Sequence, residues 1–237
     1  MILVEPEFVL LTPTSAAEAQ AALRRIEFAG RICYKSEDRI SAESYIRLIK
    51  MLIQKEHWSV IEHTGFTARI VTNRGVTHEL VRHRLASFSQ ESSRYINYNK
   101  GAFGGQLRFV KPPELDGDDL EIWSRAMQAA ENAYCSLVAR GVAPQIARGV
   151  LPNDVKAEIV VTANLREWHH MFALRCAPPA HPHMRHVMQM GLAQVIDWYA
   201  PVFDDLKDLV DDRLSKAQMR LPLGKAIVLA DETQGGA

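Results

Sequence analysis

The sequence predicts a chain of mixed α-helix and β-strand content, on three observations. Gly65 to Thr72 alternates apolar and polar side chains, which is typical of a strand with one buried face. Asp118 to Arg140 carries apolar residues at helical spacing, and Gly141 follows as a C-cap. The chain has 237 residues, 47% of them apolar, so it can bury the core of one large domain or of two closely packed ones.

The N-terminal part is predicted to form one strand and two helices. Phe8 to Thr12 is a short apolar run between prolines, which favours a strand. Ser15 and Glu18 have the spacing of a capping box, so we expect a helix from there to about Cys33. Apolar residues at spacings of three and four predict a second helix from Ser41 to about Lys55.

The middle of the chain is predicted to continue from the strand into a helix. Asn73 to Gly75 should end the strand, and Val76 to Arg82 reads as helical. After a glycine-rich turn at Gly101 to Gly105, Leu107 to Val110 is expected to be an edge strand, because two prolines follow it.

The C-terminal half is predicted to hold a strand and two further helices. Lys156 to Ala163 is read as the strand, and Asn164 as the N-cap of a helix that reaches Arg175. A long helix is expected from about His181 to Leu214, interrupted at Pro201.

Composition and charge exclude several classes of protein. Lys plus Arg and Asp plus Glu both number 28, so no overall field favours nucleic acid or an anionic membrane. The N-terminus lacks a basic leader and no apolar run is long enough to span a membrane, so we expect a soluble cytoplasmic protein. Cys33, Cys135 and Cys176 are widely spaced, which argues against a disulfide framework or a zinc ribbon and predicts reduced, mostly buried thiols.

Arg82 to Tyr95, which we call the cradle, concentrates directional hydrogen-bonding groups. It holds three guanidiniums, one imidazole, four serine hydroxyls and a phenol. The planar fork of arginine binds phosphate or carboxylate in a bidentate way that lysine cannot. The cradle therefore predicts an anion site, and the alternative is a solvated basic end of a helix that offsets the helix dipole.

Two histidine-containing segments are candidates for a metal site. Glu56 to His63 brings together two imidazoles, a hydroxyl and two carboxylates, but its spacing matches no usual ligand pattern. His181, His183 and His186 form the better candidate, although no acid or cysteine completes the set nearby. Ordinary polar histidines near a helix start are the alternative, and our prediction is that the protein binds no metal.

The cradle resembles the defining motif of the flavin-dependent thymidylate synthases. Arg82-His83-Arg84, then seven residues, then Ser92 and the Arg94-Tyr95 pair match that motif. The run from Ala147 to Pro152, which contains Arg148, resembles a second family segment. The opening Asn164-Leu165-Arg166, followed by Arg175, resembles a third. With the segment around Ser59, the resemblance extends from about His57 to His181.

The resemblance implies both a fold and a reaction. The fold is α+β, a mixed or antiparallel sheet flanked by helices, in a single compact domain with a helical subdomain. We assign residues 1–223 to that domain and 224–237 to a C-terminal tail. The reaction is the reductive methylation of dUMP to dTMP, with 5,10-methylenetetrahydrofolate as carbon donor and FAD carrying hydride from NADPH. The family implies a homotetramer with active sites at subunit interfaces, and no nucleic-acid or membrane partner.

The resemblance also implies roles for particular residues, with Arg175 as the residue that activates the substrate. The implied flavin contacts are Ser59, Arg82, His83, Arg84, Gln90, Asn164, Leu165, Arg166 and His170. The implied dUMP contacts are Glu79, Leu80, Val81, Arg82, Gln90, Glu91, Ser92, Ser93, Arg94, Arg148 and Arg175.

The chain departs from the family pattern at a few positions. Ser89-Gln90 stands where many members have Asn-Glu, Glu79 where Gln is frequent, His170 where Asn is frequent, and His181 where many have Gln. Ser92 is assigned to substrate binding because its sequence neighbours supply neither a base nor an orienting group for a nucleophile. These departures affect the flavin and folate contacts more than the class of reaction.

Two other functions are compatible with parts of the sequence. A non-catalytic nucleotide or RNA-binding protein could use the Arg-His-Arg triplet, but the zero net charge and the few aromatic residues in the cradle disfavour it. A metal-dependent hydrolase could be built on the three histidines from His181 to His186.

Overall fold

The structure is a computed structural model that describes residues 1–94, 106–211 and 214. The predicted turn at Gly101 to Gly105, Tyr95 of the cradle and the predicted tail 224–237 lie outside the described residues.

The described residues form a mixture of helices and strands, as predicted. The strands are β1 (Ile2–Val4), β2 (Glu7–Thr12), β3 (Gly65–Asn73), β4 (Ser87–Gln90), β5 (Arg108–Val110) and β6 (Lys156–Asn164). The helices are α1 (Ala16–Ile32), α2 (Ser44–Gln54), α3 (Trp58–Ile61), α4 (Arg74–Leu80), α5 (Gly117–Ala139), α6 (Pro144–Ala147), α7 (Leu165–Arg175), α8 (Pro182–Val195) and α9 (Ala200–Phe203).

The strands form two sheets. A four-stranded sheet has the order β2-β3-β6-β4, and a two-stranded sheet pairs β1 with β5. That second pair is parallel, with Ile2 opposite Arg108 and Val4 opposite Val110. The predicted strands are all confirmed, whereas β1 and β4 were not predicted because one is three residues long and the other is a polar Ser-Phe-Ser-Gln run.

The chain divides into two compact units, each built from separate segments. Unit 1 comprises Met1–Glu7, Ile70–Arg82 and the described part of Ser89–Ile159. Unit 2 comprises Phe8–Arg69, His83–Phe88 and the described part of Val160–Ala237. Strands β3 and β6 each pass from one unit into the other along the chain.

The core of unit 1 is formed by α5 and by residues of neighbouring segments that pack with it. Its buried members are Leu107, Phe109, Met127, Tyr134, Ala147 and Val155. Glu131 of α5 is buried near this core, where its carboxylate accepts the Leu107 N–H at 2.6 Å and pairs with the N-terminal ammonium of Met1 at 2.7 Å. A buried carboxylate needs such partners because its desolvation is costly.

The core of unit 2 is centred on α7. Trp168 is fully buried and stacks on Phe66 with 4.3 Å between ring centroids. Its indole Nε1 donates to the Phe66 carbonyl oxygen at 3.0 Å, so the polar edge of the ring is satisfied. Phe8 and Phe172 complete the aromatic cluster around it. This packing holds α7, and therefore the side chains that α7 presents, in a fixed position.

The predicted capping box at the start of α1 is half correct. The Ser15 hydroxyl accepts the Glu18 N–H at 3.3 Å, as predicted. The Glu18 carboxylate, however, accepts from the Thr14 N–H at 2.6 Å, one residue earlier than the pattern requires. Helix α1 ends at Ile32, with Cys33 as its C-cap, in agreement with the sequence.

Three helix boundaries differ from prediction. Helix α2 begins at Ser44, whose Oγ accepts the Ser41 N–H at 2.8 Å. The Asn73 side chain accepts the Val76 N–H and caps α4, which therefore begins at Arg74. The long helix predicted to reach Leu214 ends at Val195.

A short new helix, α9, replaces the continuation that was predicted beyond Val195. Pro201 lies at the start of α9, where its missing N–H costs nothing, instead of interrupting a continuous helix. A 3₁₀ segment, Asp204–Leu209, follows it. This part of the chain therefore forms shorter helical segments than its apolar periodicity indicates.

The cysteines and membrane-spanning potential were also predicted from sequence. Cys176 is buried as expected, but Cys135 is half-buried and Cys33 is exposed, so "mostly buried" was wrong. All three thiols are free. Among the described residues, no helix combines the length and the apolar composition that crossing a membrane requires.

Candidate active site

The first part of the cradle follows directly from α4. The Arg-His-Arg triplet leaves the C-terminal end of that helix and leads into β4. Arg82 and Arg84 are exposed, whereas His83 between them is only 7% exposed. The triplet therefore presents two guanidiniums to solvent and places its imidazole inside unit 2, which also contains the residues that His83 contacts.

His83 contacts two residues of α7. Arg175 Nε donates to His83 Nε2 at 3.0 Å, and Glu167 Oε1 lies 3.5 Å from His83 Nδ1. Burial, together with the positive charges of Arg175 and His170, lowers the pKa of His83 to about 4. The ring is neutral at pH 7, and only a neutral ring can accept the hydrogen bond from Arg175.

The start of α7 is fixed by its N-cap. Asn164 Oδ1 accepts the Glu167 N–H at 2.9 Å, as the sequence predicted. Arg166 is exposed and pairs with Glu62 at 2.6 Å. His170 is exposed, and its ring lies edge-on to that of His83 with 5.7 Å between centroids.

Unit 2 contains two cavities next to predicted flavin residues. One, which we call the Ser59 cavity, measures about 440 Å³, and its lining includes Trp58, Ser59 and Arg166. The other, the Asn164 cavity, measures about 450 Å³ and is lined by residues at the ends of β3 and β6, including Asn164. A side chain at Gly65, in this lining, would collide with the Ala163 carbonyl oxygen, so the two backbones can approach closely only with glycine there.

Unit 1 contains a third cavity, which we call the Arg148 cavity. Arg148 Nη1 donates to Ser93 Oγ at 3.1 Å, although 55 positions separate the two residues. The cavity measures about 320 Å³ and its lining also includes Arg74 and His78. Two guanidiniums and no carboxylate line it, so it suits an anionic group.

Three further residues of the cradle, Gln90, Glu91 and Ser92, take part in hydrogen bonds of unit 1. Gln90 Nε2 donates to Thr77 Oγ1 at 2.8 Å. The Glu91 carboxylate pairs with the Lys156 ammonium at 2.8 Å. This ion pair offsets the negative charge of Glu91, which is close in sequence to Ser93 of the Arg148 cavity. Ser92 Oγ accepts the N–H of Arg94 at 3.4 Å, a local turn that shapes this end of the cradle.

A family model described as "Thymidylate synthase complementing protein" matches residues 16–202 of the chain. A flavin-dependent thymidylate synthase from Geobacter sulfurreducens is 34% identical over 209 residues, covering 84% of this chain and 86% of that protein. One from Mycolicibacterium vanbaalenii is 35% identical over 214 residues, covering 82% of each.

The chain belongs to the flavin-dependent thymidylate synthase family.

The fold agrees with this family. A crystal structure of PolB from Streptomyces cacaoi, a UMP/dUMP methylase bound with 5-Br dUMP, has a TM-score of 0.69 and 24% identity. The match covers 86% of this chain and 97% of that chain. As a flavin-dependent thymidylate synthase family member, the chain is a flavin-dependent enzyme with an α+β fold.

Several of the residues that the family resemblance assigns to FAD lie in unit 2, where some of them line the two cavities. Ser59 and Arg166 line one cavity, and Asn164 lines another. Arg84 is exposed. Leu165 is fully buried, and its backbone N–H donates to the Thr64 carbonyl oxygen at 2.9 Å.

Some predicted substrate residues are placed where their side chains are partly or wholly inaccessible. Leu80 is fully buried in the core. Glu79 is half-buried and Val81 is 37% exposed. These residues support the end of α4, from which the Arg-His-Arg triplet leaves.

No motif in the sequence pointed to three residues of these candidate sites, namely Arg74, His78 and Glu167. Arg74 and His78 line the Arg148 cavity, but the sequence showed them only as a strand break and part of a helix. The spacing of four between them, on one helical face, was a usable signal. Glu167, which faces His83, had no signal because its partner is 84 residues away in sequence.

The histidine segments show no metal site among the described residues. No group of three or more His, Cys, Asp or Glu residues in that part of the chain is arranged to hold a metal ion. His183 is buried and His181 is exposed, with their rings edge-on and 5.4 Å between centroids. His181 precedes the first residue of α8, in line with the ordinary helix-start interpretation.

Proposed function

We propose that the chain converts dUMP to dTMP, with 5,10-methylenetetrahydrofolate as carbon donor and NADPH as the source of hydride by way of FAD. The proposal includes a cytoplasmic homotetramer with active sites at subunit interfaces, as the family resemblance implies. Family membership and the solved methylase PolB, whose structure holds 5-Br dUMP, support the substrate.

The Arg148 cavity is the observation that carries the proposal. It brings Ser93 and Arg148, both predicted dUMP contacts, to hydrogen-bonding distance in one pocket. Arg74 adds a second guanidinium to the lining. A nucleotide monophosphate carries two negative charges near neutral pH, and paired arginines with a serine hydroxyl are suitable donors for it. We therefore assign the dUMP phosphate to this cavity.

Arg175 is proposed to activate the uracil ring. The uracil C5 becomes a nucleophile towards the donor's one-carbon unit when the ring is polarised, so that negative charge develops on the ring nitrogen N3 and its neighbouring carbonyl oxygen. A guanidinium that is already in place stabilises this charge more in the transition state than in the ground state, which lowers the barrier. Arg175 is half-buried and held by His83, so it meets the requirement for preorganisation.

The flavin, when bound, supplies the hydride that reduces the transferred carbon to a methyl group. The chain's own residues bind and orient it. Arg82 and Arg84 are exposed at the triplet and would neutralise the diphosphate, and Ser59 and Arg166 line a cavity with Trp58. Gln90 and His170 complete the contacts that the resemblance implies.

Purification of the full-length protein is the direct test of this function. We expect a yellow protein with bound FAD whose NADPH oxidation accelerates when dUMP is added, and dTMP formation that also requires methylenetetrahydrofolate. UMP in place of dUMP measures the selectivity for the deoxyribose, since PolB has been solved with analogues of both nucleotides. A colourless protein without flavin affinity would exclude the proposal, and RNA binding without flavin would favour the non-catalytic alternative.

Arg148→Ala is expected to weaken dUMP binding. Loss of one charge-assisted hydrogen bond costs about 1.5–3 kcal/mol, so KM for dUMP should rise roughly 10- to 150-fold. Arg148→Lys keeps the positive charge but not the planar fork of donors, so its KM for dUMP should lie between those of the wild type and Arg148→Ala. Deoxyuridine, which lacks the phosphate, supplies the control, and its rate of conversion should be the same in the wild type and in both variants. A KM for dUMP that stays at the wild-type value in Arg148→Ala would place the phosphate elsewhere.

A further inference from the structure

The two ring nitrogens of His83 have different partners, and this fixes the tautomer of the ring. Arg175 Nε donates to Nε2, and Glu167 Oε1 faces Nδ1. A guanidinium N–H can only donate, so Nε2 must be the unprotonated nitrogen. The proton of the neutral ring then lies on Nδ1, next to the carboxylate. The two contacts therefore favour the same tautomer.

The three side chains are held inside unit 2. His83 is 7% exposed and Glu167 6% exposed. Glu167 lies in the first turn of α7, whose N-cap holds its backbone N–H, and Arg175 is the last residue of the same helix. His83 comes from a different segment and closes the contact between them. A buried, helix-mounted arrangement of this kind has few alternative rotamers.

We propose that Glu167 and His83 are positioning residues for Arg175. The Glu167 carboxylate orients the His83 ring, and the ring accepts the Nε–H of Arg175. Because the guanidinium is planar and rigid, holding Nε fixes where both Nη nitrogens lie and thus aligns them with the uracil ring. This inference rests on the proposed function, since it concerns the group that we assign to uracil activation.

The electrostatics around His83 are consistent with this role. Arg175 and His170 contribute positive charge, Arg166 lies on the same helix, and Glu167 provides the facing carboxylate. Protonation of Nε2 would convert the acceptor into a donor and set it against the guanidinium. Burial and the neighbouring cations lower the pKa of His83 to about 4, so the acceptor persists at neutral pH. The resemblance assigns His83 to flavin binding, and the geometry adds a second and more specific role.

Two substitutions at one position separate the positioning role from flavin binding and from a purely structural role. His83→Gln places an amide oxygen near the position of Nε2 and can still accept from Arg175. His83→Asn is shorter and reaches only the position of Nδ1, so Arg175 loses its acceptor. We expect kcat of His83→Asn to be roughly 10- to 100-fold lower than kcat of His83→Gln, because small misplacements of a catalytic group have effects of that size.

The readouts are kcat and KM for dUMP, bound flavin and thermal stability. KM for dUMP, flavin content and melting temperature should be similar in the two variants. Equal losses of kcat in both, or a loss that follows the loss of flavin, would overturn the positioning role, and so would a normal kcat in His83→Asn. Glu167→Gln is the second variant and removes the orienting charge with little change of shape. Its kcat should fall while flavin stays bound, and an unchanged kcat would remove Glu167 from the proposal.

Failure of this inference can be told apart from failure of the proposed function. A wild-type enzyme that forms no dTMP with all substrates present contradicts the function. A wild-type enzyme that forms dTMP, with kcat insensitive to the acceptor at position 83, contradicts only the positioning role. The wild-type assay is therefore run first, and the variants are compared with it at equal flavin content.

Discussion

Arg175→Ala is expected to reduce dTMP formation by roughly 10²- to 10³-fold or more, because it removes the proposed donor to the charge that develops on uracil. FAD should stay bound, since the proposed flavin contacts at Ser59, Arg82 and Arg84 remain. The measurement is the rate of dTMP formation in the presence of all substrates, with flavin content determined on the same samples. The loss should appear mainly in kcat, as expected for an interaction that is stronger in the transition state.

Arg125→Ala is the matched control for this experiment. Arg125 lies on α5 of unit 1 with its side chain 69% exposed, in an i,i+4 pair with Glu121. An exposed pair of this kind contributes little, so the variant should be as active as the wild type. Near-normal turnover by Arg175→Ala would exclude the catalytic assignment while leaving family membership intact.

The secondary structure could be predicted wherever the apolar pattern was long and regular. Strands β3 and β6 and helices α5 and α7 were placed to within one or two residues. Strand β1 is only three residues long, and it exists because it pairs with β5, more than 100 positions away. No local pattern carries that information. The end of α8 at Val195 was not predicted. Apolar residues continue at helical spacing beyond Val195, whereas the backbone leaves the helix and forms a turn there.

The sequence motifs name candidate site residues, but they carry no information on how these residues are arranged. The cradle motif identified Arg82 to Arg84 and the region of Ser93, and later motifs identified Arg148 and Arg175. The structure shows that His83 is turned inward to Arg175, 92 positions away, and that Ser93 meets Arg148. Contacts between distant segments depend on the tertiary fold. The sequence motif assigned all three residues of the triplet to flavin binding. In the structure His83 is buried whereas Arg82 and Arg84 are exposed, so the three residues are not equivalent.

The departure at Gln90 has a local explanation in unit 1. Thr77 donates its hydroxyl proton to the Arg74 carbonyl oxygen at 3.0 Å, so its oxygen is left as an acceptor. Gln90 Nε2 supplies a donor to that oxygen at 2.8 Å. A carboxylate in place of Gln90 could not donate and would repel the threonine oxygen. The amide at this position therefore agrees with the hydrogen bonds around it, where many family members carry an acid.

Trp168→Ala is expected to lower the free energy of unfolding by about 3–5 kcal/mol, the cost of removing a large buried aromatic side chain. Trp168 is fully buried, stacks on Phe66 and donates to the Phe66 carbonyl oxygen. Removing the indole leaves a cavity beneath α7, and it leaves the Phe66 carbonyl oxygen without the donor that Trp168 supplied. The measurement is urea unfolding followed by circular dichroism. Leu174→Ala, on the same helix but 51% exposed, should change the stability by no more than about 0.5 kcal/mol.

Trp168→Phe distinguishes the contribution of ring packing from that of the hydrogen bond. Phenylalanine retains the stack on Phe66 but not the indole N–H, so the loss should be about 1–3 kcal/mol, the cost of one unmade buried hydrogen bond. Because α7 carries both Glu167 and Arg175, we expect Trp168→Ala to reduce kcat even at temperatures where the protein is still folded. Equal losses of stability in the phenylalanine and alanine variants would show that the hydrogen bond, and not the packing, holds α7 in place.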